Sequence, residues 1–167
     1  MKGFILGFVL TIALLPAGAI AYLRLGAAEV RADVAAPAWQ SWLLHLAIRA
    51  AVRRRAPGAP RPSTHGDEEL IAGGKLYLDG CSGCHGEPGR PPRRRAAFYF
   101  PPEFAHAGTD GSGPELFWIV KHGIRGTGMS AYGTFYPDRQ IWALVEFVER
   151  IKELPPSVLE ALRPKRR

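Results

Sequence analysis

The 167-residue chain is predicted to be all-α, a small helical domain carried behind an apolar N-terminal helix and a second, amphipathic one. Three observations carry that prediction. An uncharged apolar run opens the chain, every later segment with an apolar period repeats at three-to-four spacing, and stretches rich in proline and glycine divide those segments. The elements follow in order.

Gly3 to Leu23 is a run of twenty-one residues without a charge, preceded only by Met1 and Lys2. A helix needs about 20 such residues to cross the hydrocarbon of a bilayer, and Pro16 is tolerated inside such a span. A secretory signal is the rival reading, since Ala17-Gly18-Ala19 and Ala19-Ile20-Ala21 both resemble a cleavage site, but its apolar core is usually about 7–15 residues. Length favours an uncleaved transmembrane signal-anchor over residues 1–23. Either way the rest of the chain is sent across the membrane.

Residues 24–67 form a basic segment. From Ala38 to Arg55, Trp39, Trp42, Leu43, Leu46 and Ala50 recur at helical spacing, which predicts an amphipathic helix. Arg49, Arg53, Arg54 and Arg55 gather at its C-terminal end, where the helix dipole favours cations. Such a helix either packs on the following domain or a partner, or lies on a membrane surface with its tryptophans at the interface. His45 reads as a surface or packing residue. Ala56 to Pro62 is too rich in proline to continue the helix and reads as a semi-extended linker.

Charge separates the parts. Residues 1–65 carry a net +6, residues 66–156 a net −2 and residues 157–167 a net +3, within a total of +7. The basic excess lies outside the central segment, and no aromatic residues interleave with the arginine runs as a single-strand groove requires, so no nucleic-acid partner is expected.

Glu68 to Gly80 carries Leu70, Ile71, Gly74, Tyr77 and Leu78 at three-to-four spacing and predicts a helix. Gly73-Gly74 weakens it, which is explained by another helix crossing closely at that point. Directly after it stands Cys81-Ser82-Gly83-Cys84-His85, the attachment signature of a c-type haem. On one helical turn the two thiols and the imidazole share a face, so two thioethers and one iron ligand come from a single turn. A zinc site would need about two further N or S ligands, and Cys81 and Cys84 are the only cysteines. A redox dithiol would want a βαβ context that is absent. Haem attachment at this motif takes place on the outer side of the bacterial inner membrane, which agrees with the export implied by the N-terminus.

Gly86 to Gly113 has no sustained period and reads as loop. Ser112 and Glu115 fit a capping box opening a short helix from Pro114 to His122, ended by Gly123. The next loop, Gly123 to Gly133, holds Met129, the only methionine besides the initiator. In a polar, glycine-flanked loop it is poor core filler. Given a haem, its thioether is the economical sixth ligand opposite His85, with His65, His106 and His122 as competitors. Pro137-Asp138 opens a final helix to Lys152, with Ile141, Trp142, Leu144, Val145 and Val148 on one apolar face and Glu146, Glu149 and Arg150 in polar positions. Pro155-Pro156 stops it, leaving residues 157–167 as a basic tail.

That order of parts, with Cys81, Cys84, His85, Gly123 and Met129 between two terminal helices, resembles the class I (mitochondrial-type) monohaem cytochrome c domain of membrane-anchored bacterial cytochromes. The resemblance covers about Glu68 to Leu154, and residues 68–156 are taken as the haem domain. It implies three to four helices around one covalent haem c, with Cys81 and Cys84 on the vinyl carbons and His85 and Met129 as axial ligands. It also implies terminal helices crossing at Gly74 and at Trp142 or Phe147, and a proline carbonyl, of Pro101 or Pro102, accepting the free N–H of the axial histidine. Ser130 departs from the proline usual after the methionine. The expected function is one-electron transfer in the periplasm between redox protein partners, by a carrier rather than an enzyme. A permanent haem subunit of a larger membrane oxidoreductase is the alternative, and a catalytic or gas-sensing haem a third. Arg90, Arg93, Arg94 and Arg95 read as a solvated run, a propionate contact or a docking patch.

Overall fold

The computed structural model describes residues 2–31, 34–56, 58, 61–62, 66–88 and 101–163. The described chain is all-helical and divides into two compact units, residues 1–32 and 33–167. The first contains α1, Lys2–Arg24, whose side chains are all exposed. Among the described residues it is the one helix long and apolar enough to cross a membrane.

The second unit is built on the crossing of α3 (Asp67–Gly80) and α7 (Asp138–Arg150). The glycine pair sets how closely they approach. A Cβ on Gly73 would stand 2.0 Å from the Ala143 carbonyl oxygen, so backbone lies on backbone there. A Cβ on Gly74 would stand 2.9 Å from the Phe147 ring and 2.5 Å from Leu162. The crossing therefore uses Gly73 on Ala143 as well as Gly74 on Phe147. Trp142 faces away from it and stacks on Phe117 of α6 (Gly113–His122), ring centroids 4.5 Å apart.

With α3 on one side and α6 on another, α7 is covered almost all round: Ile141 to Val148 are buried without a break. Glu146, placed by its spacing among the polar positions, is only 5% exposed. The residues before α3 cover it: Arg61 and Pro62 line a small cleft with Glu69, Arg139 and Glu146. Arg61 also donates to Glu149 at 2.7 Å.

Two further segments join this unit. The helix α2 (Ala38–Arg55) packs against α6, with Val52 and the following Ala56 buried. At the other end, the segment assigned to a basic tail contains α8 (Pro156–Ala161), which packs on α3 with Val158 fully buried. The Pro155-Pro156 pair that ends one helix here starts the next, since proline's fixed φ and missing N–H suit a first turn.

Candidate haem site

Helix α3 runs straight into the motif. The N–H of Cys81 closes on the Tyr77 carbonyl at 2.9 Å, and those of Cys84 and His85 close on the Cys81 carbonyl at 3.1 and 3.0 Å. These bonds start the short helix α4, Ser82–His85. The predicted single turn forms, and two side chains pin it from within: Ser82 Oγ donates to the Leu78 carbonyl at 2.8 Å, and the buried Tyr77 hydroxyl to the Gly86 carbonyl at 2.7 Å.

Cys81 is buried and Cys84 exposed, and neither is in a disulfide. Burial pushes the free Cys81 thiol up to about 12, with the Cys84 and Asp79 charges adding to the rise. Burial also lowers the pKa of His85, opposed by its bond to Pro102. That bond decides between the two prolines: His85 Nδ1 lies 2.9 Å from the Pro102 carbonyl, which can only accept. Nδ1 therefore carries the hydrogen, and Nε2 is left as the free lone pair, the arrangement that orients a metal-bound imidazole. Phe104, in the short helix α5 (Phe104–Ala107), stacks on the same ring with centroids 4.7 Å apart.

The loop of Met129 folds back on the end of α6. Gly123 ends that helix at φ +65°, and a Cβ there would stand 2.6 Å from the Met129 carbonyl oxygen, so glycine is demanded by conformation and by space. The Ile124 N–H donates to that same carbonyl at 3.0 Å. Thr127 Oγ1 donates to the Ile124 carbonyl at 2.8 Å and accepts the Met129 N–H at 3.1 Å. The loop then returns to the motif, with the Tyr132 hydroxyl donating to the Gly80 carbonyl at 2.8 Å. Met129 is half-buried and packs, with Phe104 and Tyr132, against the core that includes Cys81.

Of the competing histidines, His122 is exposed at the end of α6 with its ring against Trp118. His65 and the side chain of His106 lie outside the described residues, as do Arg90, Arg93, Arg94 and Arg95. No group of three or more His, Cys, Asp or Glu among the described residues could hold a bare metal ion. Two free thiols one turn apart, with no further Cys and with an imidazole held through Nδ1 by the Pro102 carbonyl, fit a covalent haem and do not fit a zinc site.

An all-α unit of two crossed terminal helices around a Cys-x-x-Cys-His turn is a monohaem c-type cytochrome domain of the class I kind, and it carries a covalently bound haem c. Residues 68–148 match the family described as Cytochrome C oxidase, cbb3-type, subunit III. No curated protein and no solved structure gives a match. What sequence reasoning missed is Phe104, against the face of His85. No local signal marks it, because the residues between it and the motif carry no period.

Proposed function

We propose that this chain is an electron carrier held at the outer face of a bacterial inner membrane by residues 1–23, passing one electron at a time between redox proteins. Cys81 and Cys84 would hold the haem by thioethers, and His85 Nε2 and Met129 Sδ would take the two axial positions. The haem, when bound, supplies a one-electron iron couple. The observation that carries this reading is the His85–Pro102 bond: it fixes the tautomer and aim of one ligand, while Thr127 and Gly123 fix the loop that presents the other. Ligands held in both oxidation states keep reorganisation small, and a Met/His pair raises the potential. The burial of Cys81 beside Met129, Phe104 and Tyr132 would keep water from that side.

The test is the charge-transfer band of the ferric protein, a signature of methionine on the iron. It should be present in the wild type and lost in Met129→Ala, with the covalent haem retained. A wild type that lacks the band and binds carbon monoxide readily would instead make this a catalytic or sensing haem.

The family match favours a second reading, in which the chain is a permanent haem subunit of a membrane oxidase. Purification from native membranes in mild detergent separates the two: a subunit elutes with its complex, a free carrier alone.

A further inference from the structure

The helix α2 has two apolar faces, and only one of them is used. The residues it buries or half-buries are Gln40, Ser41, Leu44, Ile48, Ala51 and Val52, the side that meets α6. Trp39, Trp42, Leu43 and Leu46 point about 180° away at 3.6 residues per turn, and they are 63%, 66%, 51% and 51% exposed. Two tryptophans and two leucines in a row are a costly surface for a soluble domain. Arg49, Arg53 and Arg54 extend the same side of the helix toward its C-terminus, all exposed. Apolar rings followed by guanidiniums is the pattern of a helix lying in a lipid headgroup layer, rings among the upper acyl chains and cations on phosphates.

The chain itself brings such a surface within reach. The helix α2 begins fourteen residues after the last residue of α1, a tether that extends to at most about 50 Å. We propose that the Trp39/Trp42/Leu43/Leu46 face, with Arg49, Arg53 and Arg54, docks the haem domain on the anionic surface of the bilayer. This rests on α1 being a membrane span. A docked α2 restricts the orientations of the domain, because its other face is fixed to α6. The haem domain then rides on the membrane in one pose instead of swinging on its leash.

The full-length, haem-loaded protein is reconstituted into vesicles of phosphatidylcholine alone or with about 30% phosphatidylglycerol, with a protease site inserted between Gly26 and Glu29. After cleavage in situ the vesicles are pelleted and haem absorbance is read in pellet and supernatant. The expected result is at least about fivefold more haem retained on the anionic vesicles, abolished by Trp39→Ser/Trp42→Ser/Leu43→Ser/Leu46→Ser in a protein whose haem spectrum is unchanged. Equal release from both lipids overturns the proposal. So does release from both with retention on native membranes, which assigns the face to a membrane protein. The uncleaved chain is the control on α1. If it fails to stay with vesicles through an alkaline wash, the anchor reading is lost, and the lipid preference of the cleaved domain still decides the role of α2.

Discussion

At the scale of single residues, Ser112 and Glu115 show a sequence pattern becoming an interaction with a pH dependence. The Glu115 carboxylate accepts the Ser112 N–H at 2.9 Å and the Ser112 hydroxyl at 3.0 Å at the start of α6. These bonds, backbone first, lower its pKa below the ordinary 4.5, with the Arg53 charge of α2 adding a little. A carboxylate with a depressed folded-state pKa stabilises fully above its unfolded value, and that contribution is lost as pH falls through the folded value. Glu115→Gln should therefore cost about 0.5 kcal/mol at neutral pH, kept small by solvent screening, and almost nothing in strong acid. Thermal melts of the two proteins across the acid range should converge; parallel curves would contradict the assignment. Residue-level chemistry was the most legible part of the chain. The Cys81 to His85 turn, the capping box and the Gly123 stop are local patterns that need no distant partner. The choice of Pro102 over Pro101 is not local, because it depends on where the loop meets the ring of His85.

Among elements, the close crossing of α3 and α7 was readable from Gly73-Gly74, but its register was not. Periodicity says which face of α7 is apolar and leaves open which residue meets which glycine. The structure sets Ala143 on Gly73 and turns Trp142 to Phe117. Alanine is better than glycine in a helix interior by about 1 kcal/mol, so Gly73→Ala would stabilise α3 by propensity alone. The overlap with the Ala143 carbonyl decides the sign. We expect Gly73→Ala to lower the unfolding free energy by about 3 kcal/mol in denaturant titrations, and a neutral result would mean that the helices separate freely. At Gly74 the obstacles are the Leu162 and Phe147 side chains, which can move, so the loss there should be smaller. The helix α8 escaped the sequence reading because six residues behind two prolines offer too few apolar positions for a period. Glu146 was misplaced for the opposite reason: its own helix gives it a polar slot, and Arg61 and Pro62, far away in sequence, cover it.

For the whole molecule, charge and hydropathy were the basis on which the sequence was divided into an apolar N-terminal helix, a basic segment and a haem domain. The basic segment does not stand apart: α2 and the residues after it belong to the same compact unit as the haem motif. One apolar stripe could be read in α2 and there are two, so the reading had to choose between packing on the domain and facing a membrane. Opposite sides of one helix allow both.

The Arg61–Glu149 bond, together with the burial of Val52 and Ala56, also has a mechanical meaning. A pull transmitted from the N-terminal end of the chain first loads the seat of α2 on α6 and then the grip of Arg61 on α7. It reaches the N-terminus of α3, and through it the Cys81 turn, only after those have given way. The domain is fitted like an electrical lead with strain relief at the plug: the cable can be jerked while the contacts stay still.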